Sequence, residues 1–296
     1  MMDTQRLRRS VLYMPGANTR ALEKAVGLDC DGLIFDLEDA VAPDVKAAAR
    51  ANVVHSLQSV DYGYRERIVR VNGLDTPWGH DDVAALAQLD LDAVLFPKIE
   101  SADMVLQAQR VLEQAFAQRP ANKAAPALWI MIESPTSILR LDAICDAHQE
   151  LAVLVMGTSD LVRDLRAQHQ PSREPLLYSL SAAVTAARAY GLEVLDGVHL
   201  DFRNAETFLA TCEQGRAMGF DGRSLIHPGQ IEVANEIYGF SEQAIEHARR
   251  VIDVWQIAQQ QGKGVVELDG QLIENLHAAE ATRLLALAET LAQRTA

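Results

Sequence analysis

The sequence predicts a (β/α)₈ barrel (TIM barrel) followed by a C-terminal extension of helices and a hairpin. Short apolar runs alternate with longer segments of helical period, which is the pattern of right-handed β–α–β units. The runs are apolar throughout, as in GLIFDL and LWIMI, so each strand is expected to be buried on both faces of a parallel sheet. Eight such runs occur, and eight units close a barrel.

The predicted strands share β-branched and apolar residues, and each ends at a polar or turn-forming residue. They are Ser10–Met14, Gly32–Leu37, Ile68–Val71, Ala93–Pro97, Leu128–Ile132, Ala152–Met156, Glu193–Asp196 and Gly222–Ile226.

Capping residues mark the helices between these strands. Ser101 and Ser134 each precede a helical segment, and a proline follows Ser134 directly, which suits the first helical position. Asn204 or Asp201 is expected to begin the helix that precedes the last strand. Gly219 is expected to end that helix, because glycine readily adopts the left-handed conformation found at helix C-termini.

The last part of the chain follows a different pattern. A long amphipathic helix is predicted over Ser241–Gln261, a hairpin around Asp269-Gly270, and a second helix over Ile273–Arg294. These elements are not needed to close eight β–α units. We therefore predict a catalytic barrel over residues 1–240 and an extension over residues 241–296 that acts as a lid or a subunit-contact arm.

Composition narrows the class of protein. The chain has 296 residues, 49% hydrophobic and 23% charged, with a net charge of −14, and this acidity argues against a nucleic-acid partner. It has neither an apolar run of about 18 residues nor a signal-peptide core, so we expect no membrane association and a cytoplasmic location. Cys30, Cys145 and Cys212 form no C-x-x-C pair, which favours packed, reduced thiols.

Polar side chains gather where the predicted strands end. Because the C-terminal ends of parallel barrel strands meet at one face, these residues are expected to lie close together. They are Asp36, Glu38, Asp39, Arg70, Asn72, Lys98, Glu100, Glu133, Thr158, Ser159, Asp160, Asp196 and His227.

Two carboxylates on neighbouring strands predict a metal site. Glu133 follows the fifth strand and Asp160 the sixth. A pair of carboxylates with open positions suits Mg²⁺, which keeps several waters and takes its other ligands from substrate. The absence of nearby nitrogen or sulfur ligands argues against zinc and copper. The alternative is that both are solvated loop acids.

Arg70 and Lys98 are the cations of this set. Arg70 has the geometry to hold a substrate carboxylate with two hydrogen bonds, or it pairs with Glu38 or Asp39 and braces the mouth. Lys98 is a candidate imine-forming nucleophile. The many acids around it should keep it protonated, so we favour a structural role for Lys98 and metal-assisted chemistry.

A weaker signal follows the first strand. Asn18, Arg20 and Lys24 come after Met14-Pro15-Gly16, where glycine and proline let the backbone approach a ligand and the cations suit phosphates. On their own, the cations are equally consistent with an exposed helix face.

The motifs in order resemble the citrate lyase β-subunit-like family, whose relatives include malyl-CoA and citramalyl-CoA lyases. The matching segments are LYMPGANTRALEKA, LIFDLEDAVAPDVKAAAR, RVNGLDTPWGHDDV, VLFPKIES, IMIESP, VMGTSDLVRDL and SLIHPGQIEVANEIY. The resemblance implies a (β/α)₈ barrel in trimers or hexamers, and an Mg²⁺-dependent lyase that cleaves a 3-hydroxyacyl thioester into a 2-oxoacid and an acetyl thioester.

The resemblance also assigns roles to individual residues. Glu133 and Asp160 match the magnesium ligands, and Arg70 matches the arginine that holds the 2-oxoacid part, with Glu38 and Asp39 as the acidic pair beside it. The segment containing Asn18, Arg20 and Lys24 matches the contact with coenzyme A. Relatives often carry an aspartate after D-G-x-x-I that reaches a neighbouring subunit's site. Here that position is Glu274, and the extra methylene puts its proton-transfer role in question.

Alternative functions remain open. Pyruvate-class aldolases of the same superfamily resemble D-G-E-H-A-P near the second strand, whereas this chain has D-L-E-D-A and lacks the histidine base. A malyl-CoA-type thioesterase would use the same site. A citrate lyase β subunit would take its substrate on an acyl-carrier protein, and a non-catalytic relative would only bind the metabolite.

Overall fold

The strands close into a barrel. The computed structural model describes residues 6–119 and 125–295, and its eight parallel strands form one closed barrel in sequence order. This confirms the predicted (β/α)₈ fold. The strands are β1 Ser10–Pro15, β2 Gly32–Asp36, β3 Glu66–Arg70, β4 Ala93–Phe96, β5 Ala127–Ile132, β6 Leu151–Met156, β7 Glu193–Asp196 and β8 Gly222–Leu225.

Helices connect successive strands, as β–α–β units require. They are α1 Thr19–Lys24, α2 Lys46–Ser59, α3 Gly79–Leu86, α4 Ala102–Phe116, α5 Pro135–Leu139, α6 Leu141–Cys145, α7 Thr158–Asp164, α8 Leu177–Ala189, α9 Ala205–Met218 and α10 Ile231–Ile237.

The predicted caps occur where the sequence places them. The side chains of Ser101 and Ser134 accept backbone N–H groups in the first turns of α4 and α5. Asn204, rather than the alternative Asp201, caps α9. Gly219 ends α9 with φ +100°, in the left-handed region. Local capping therefore marks where α4, α5 and α9 start after the preceding strand ends.

The core has two layers. Side chains alternate along a strand, so Ile34 packs with other strand residues inside the barrel, while Leu33 and Phe35 pack in the larger cluster between strands and helices. All three side chains are fully buried. Burial on both faces explains why the strands are continuously apolar. Cys30, Cys145 and Cys212 are free and buried, as predicted.

The chain divides into two compact units. The barrel unit is Arg8–Tyr238, and the other is formed mainly by the chain after Tyr238. The second unit contains α11 Glu242–Gln260, a hairpin of β9 Val266–Leu268 and β10 Gln271–Ile273, and α12 Asn275–Thr295.

The second unit has its own apolar core. Trp255 of α11, Leu268 and Ile273 of the hairpin, and Ala278 and Ala281 of α12 pack in one buried cluster. The helices and hairpin predicted for the tail are thus present, while the predicted domain roles, a barrel over 1–240 and a lid or arm over 241–296, stay predictions. Among the described residues, no helix combines the length and apolarity needed to cross a membrane.

Candidate active site

The centre of the candidate site is an ion pair between the ends of two adjacent strands. Asp36 and Arg70 are register partners in the pairing of β2 with β3. Arg70 donates from Nε to Asp36 Oδ1 at 2.7 Å and from Nη2 to Asp36 Oδ2 at 2.6 Å. Both side chains are buried. Two parallel bonds fix the plane of the guanidinium as well as its position.

Arg70 makes further contacts through its Nη1 atom and through the face of its guanidinium. Nη1 lies 2.9 Å from Glu38 Oε2 and 3.5 Å from Met131 Sδ, and the guanidinium lies 4.8 Å above the ring of Tyr13. Burial alone would lower the pKa of Arg70, but the charge and hydrogen bonds of Asp36 raise it well above the ordinary value. Arg70 is therefore a permanent, oriented cation at the mouth of the barrel.

Glu38 links Arg70 to a second cation. Its Oε1 accepts a hydrogen bond from Lys98 Nζ at 2.5 Å, while Asp39 lies farther away, 3.8 Å from Lys98 and 3.9 Å from Arg70. Partial burial tends to lower the pKa of Lys98, but the hydrogen bond and charge of Glu38 raise it overall. A protonated amine is a poor nucleophile, so this geometry supports the structural interpretation of Lys98.

Glu133 is a buried carboxyl at the end of β5. Its Oε1 accepts the backbone N–H of Lys98 at 2.7 Å, and Lys98 adopts φ +54°, a left-handed conformation that is costly for a residue with a side chain. Burial raises the pKa of Glu133 to about 8, with further contributions from Glu38 and Asp160, against the opposing effects of the Lys98 N–H and Arg70. A cation bound at Glu133 would displace its proton.

Gly157 lets the end of β6 approach Glu133. A Cβ atom on Gly157 would lie 2.3 Å from Glu133 Cβ and 2.5 Å from Glu133 Oε2. The chain continues into α7, whose first turn carries Asp160. Asp160 is mostly buried, and its Oδ1 forms an ion pair with Arg163 Nη1 at 2.6 Å. The glycine is therefore what brings the strand end that carries Asp160 against the carboxyl of Glu133.

The donor set fits magnesium. Glu133 and Asp160 supply carboxylate oxygens, and their charges interact. Within the residues described, no group of three or more His, Cys, Asp or Glu side chains forms a metal-binding cluster. Mg²⁺ is commonly held by one or two carboxylates, with water and substrate oxygens completing its shell, so two carboxylates suffice. A structural zinc site would need four protein ligands.

The segment after β1 lies at the same end of the barrel. The N–H of Gly16 donates to the carbonyl of Asp36 at 2.9 Å. Asn18 caps α1 with its side chain, and Arg20 and Lys24 are exposed on that short helix. The structure thus keeps Asn18, Arg20 and Lys24 near the strand ends. They do not belong to the cluster described above, which we call the Arg70 cluster and which consists of Arg70, Asp36, Glu38, Asp39, Lys98 and Glu133.

Two other predicted residues have local contacts of their own. Glu274 follows β10 in the second compact unit, where its backbone N–H donates to His277 Nδ1 at 3.0 Å, and its role stays a prediction. Asn72 donates to Asp82 at 2.6 Å and to the carbonyl of Leu37 at 2.9 Å, so it braces the loops behind the site.

Some residues of the site carried no sequence signal of their role. Asp36 was visible as a strand-end acid, but its bidentate bond to Arg70 depends on strand register. Tyr13 and Met131 look like ordinary strand residues. Gly157 precedes a helix, a position that many residue types occupy, so its close approach to Glu133 was not evident from the sequence. The motif VMGTSD places Gly157 between a strand and Asp160, and that position was the available signal.

The chain matches a known protein family and named relatives over most of its length. A profile of the HpcH/HpaI aldolase/citrate lyase family matches residues 9–228, most of the chain. The chain belongs to this family. Among its relatives, a (3S)-malyl-CoA thioesterase of Cereibacter sphaeroides is 46% identical over 96% of this chain and 95% of its own. The citrate lyase β subunit of Escherichia coli is 36% identical over 96% of this chain and 94% of its own.

Solved structures of family members resemble this chain over most of its length. The CitE protein of Mycobacterium tuberculosis in complex with magnesium, acetoacetate and coenzyme A has a TM-score of 0.73 and 27% identity, covering 95% of this chain and 97% of its own. The citrate lyase β subunit of the same organism, complexed with oxaloacetate and magnesium, has a TM-score of 0.67 and 27% identity, covering 80% of this chain and 99% of its own. Structural neighbours in this aldolase/citrate lyase family therefore bind magnesium.

Proposed function

We propose that this aldolase/citrate lyase family member is an Mg²⁺-dependent carbon–carbon lyase. Its substrate is a 3-hydroxyacyl thioester of the malyl, citramalyl or citryl type, and its products are a 2-oxoacid and an acetyl thioester. The observation that carries the proposal is the buried Arg70, locked by Asp36 beside the carboxylates Glu133 and Asp160. A fixed cation next to an oxygen-donor pair is suited to a 2-hydroxy carboxylate.

Each group in the proposed site has a role. Glu133 and Asp160 hold Mg²⁺, which when bound supplies Lewis-acid polarisation of the substrate oxygens. Arg70 binds the substrate carboxylate. Its guanidinium keeps a fixed orientation because Asp36 holds it with two hydrogen bonds. Glu38 is held between Arg70 and Lys98, so it orients both cations.

The proton and electron movements follow from this placement. Of the neighbouring acids Glu38 and Asp39, Asp39 is the more exposed, with 57% of its side chain accessible. Asp39 takes the proton of the substrate hydroxyl group. The oxygen electrons then form the carbonyl of the 2-oxoacid, and the breaking C–C bond leaves its electron pair on the thioester as an enolate. The positive charges of Arg70 and Lys98 stabilise the negative charge that develops on the enolate. Protonation of the enolate, which we assign to the carboxyl group of Glu274 from a neighbouring subunit, completes the acetyl thioester. Asp39 then releases the hydroxyl proton to water, and Glu274 takes a proton back from water.

The thioester end and the assembly are also part of the proposal. Asn18, Arg20 and Lys24 contact the coenzyme A part or, in a citrate lyase β subunit, the carrier-bound acyl group. The CitE complex with coenzyme A supports the first choice. We expect a cytoplasmic homotrimer or homohexamer in which residues 241–296 act as a lid or subunit-contact arm.

Hydrolysis of the thioester is the second candidate function. The relative at 46% identity is named (3S)-malyl-CoA thioesterase, whereas the citrate lyase β subunits are 33–36% identical. The same site would bind the same thioester, with water attacking the thioester carbonyl. The products are then a hydroxy acid and free coenzyme A. If this protein were instead a non-catalytic member of the family, it would bind the thioester tightly and form neither set of products.

One experiment separates these outcomes. The purified protein is incubated with malyl-, citramalyl- and citryl-CoA, with and without Mg²⁺, and the products are identified by mass spectrometry. The variant Asp160→Ala should lose at least about 100-fold in Mg²⁺-dependent turnover. Asp164→Ala is the matched control, since Asp164 lies on the same helix and pairs with the same Arg163. Equal activity of the two variants would rule out the metal role of Asp160.

A further inference from the structure

A cavity with a largely apolar lining lies beside the C-terminal ends of β6 and β7 and against Arg223 of β8. It has a volume of about 340 Å³, and its lining includes Thr158, Arg173, Val198, His199, Thr207 and Arg223. It includes none of the five acids of the candidate active site, although Thr158 comes from the strand end that carries Asp160. The volume is at the small end of the range for ligand pockets.

The cavity contains more buried positive than negative charge. Arg173 donates from Nη1 to both oxygens of Asp196, at 2.8 and 2.6 Å. Arg223 lies 3.4 Å from the same carboxylate through Nη1. All three side chains are buried, so one carboxylate faces two guanidinium groups. A buried charge without a full partner is costly and attracts a counter-ion.

Arg223 has unused donor capacity. Its Nε–H is buried without a hydrogen-bond partner. Besides the ion pair with Asp196, its contacts are weak: Nη1 lies 4.0 Å from Cys212 Sγ, and the guanidinium lies 5.5 Å over the ring of Phe208. Arg173, by contrast, also donates from Nε to Gln214 and from Nη2 to the carbonyl of Thr211. The excess charge therefore belongs to Arg223.

The remaining wall suits an anion as well. The N-terminus of the 14-residue helix α9 contributes Asn204 and Thr207 to the lining, and a helix N-terminus carries partial positive charge. Burial lowers the pKa of His199, and Arg223 lowers it further, so His199 adds a neutral donor or acceptor. The charged group that opposes an anion is Asp201, which is exposed and also lines the cavity.

We propose that this cavity binds a small organic anion whose carboxylate or phosphate group lies against Arg223 and the start of α9. The apolar part of the ligand contacts Val198, Leu176 and the prolines Pro171 and Pro175 of the lining. The site is separate from the metal-dependent chemistry proposed above, and its occupancy requires no metal.

Calorimetric titration in EDTA tests the proposal without a contribution from Mg²⁺ complexes at the active site. The probes are pyruvate, inorganic phosphate and coenzyme A, which distinguish a carboxylate, a free phosphate and a thioester carrier as the source of the anion. At least one should bind at a site whose affinity depends on Arg223, in addition to any coenzyme A bound at Asn18, Arg20 and Lys24. Arg223→Met should weaken that binding at least about tenfold, and Asp201→Asn should strengthen it about two- to fivefold by removing a screened like charge.

Arg203→Met is the matched control. Arg203 is exposed beside the cavity and stacks on Phe202, but it does not belong to the lining, so its loss should change affinity less than about twofold. Wild-type affinity in Arg223→Met, or no binding of any probe to the wild-type protein, would overturn the proposal. If Arg223→Met fails to fold by circular dichroism, Asp201→Asn decides the matter, and unchanged affinity there counts against the site.

Discussion

The close approach of Gly157 to Glu133 gives a prediction whose size follows from the structure. In Gly157→Ala the new methyl group would lie 2.3 Å from Glu133 Cβ, where ordinary van der Waals contact begins at about 3.4 Å. The two strand ends must therefore separate by about 1 Å. Rotation of a side chain cannot relieve the clash, because the Cβ atom of Glu133 is bonded directly to the backbone at the end of β5.

Two effects should accompany this separation. Forcing an extra methyl group into a packed site costs about 1–3 kcal/mol of unfolding free energy, or roughly 2–10 °C in the melting temperature of a chain of this size. Displacing a ligand from its supporting contacts weakens metal binding about 10- to 100-fold. The first effect tests the packing, and the second tests the proposed metal role of Glu133.

Thermal unfolding in EDTA measures the first effect, and calorimetric titration with Mg²⁺ measures the second. Gly27→Ala is the matched control, since a Cβ atom on Gly27 would meet nothing within 4 Å, and this variant should behave as wild type. A melting temperature unchanged in Gly157→Ala would refute the packing argument. A lowered melting temperature with wild-type Mg²⁺ affinity would instead remove Glu133 from the metal site.

Three further predictions concern the Arg70 cluster. Arg70→Lys should lower kcat/KM for thioester cleavage at least about 100-fold, since lysine cannot make two parallel bonds to Asp36; a loss under tenfold would contradict this. The pKa of Glu133 is raised to about 8 by burial, so the metal-free folded state binds an extra proton and should lose stability as pH rises from about 5 to 8. Urea unfolding in EDTA should show a larger loss in wild type than in Glu133→Gln, where burial still raises the pKa of Glu38 and Glu193, and parallel pH curves would disprove it. Borohydride added with pyruvate should leave no adduct on Lys98 by mass spectrometry, whereas a trapped adduct would establish imine chemistry.

The fold was predictable because burial on both faces leaves a plain signal. The continuously apolar runs give every strand and their number, but strand starts are less visible. β3 begins at Glu66, two residues before the predicted Ile68, because Glu66 is a buried acid. It accepts from Arg8 at 2.7 and 2.8 Å. A polar residue satisfied by an ion pair inside the barrel cannot be distinguished from a loop residue by apolarity alone.

The site was predictable as a set of residues but not as a set of contacts. Strand-end position gathered the acids, Arg70 and Lys98 correctly at one face of the barrel. It could not choose the partner of Arg70, and the predicted ion pair with Glu38 or Asp39 omits the main partner, Asp36. That choice depends on the register of β2 against β3, which involves residues 34 positions apart. Side-chain pattern along one strand carries no information about register between strands.

A lyase and a thioesterase acting on the same substrate differ in whether water may reach the thioester carbonyl. In the proposed site, both reactions would use Arg70 to bind the substrate carboxylate and would polarise substrate oxygens near Glu133 and Asp160. A lyase must also keep water away from the thioester carbonyl, because hydrolysis there would destroy the thioester that C–C cleavage has to preserve. Hydrolysis requires the opposite. The residues that decide between them are therefore those that cover the mouth of the barrel, and substitutions in the Arg70 cluster should lower both activities together.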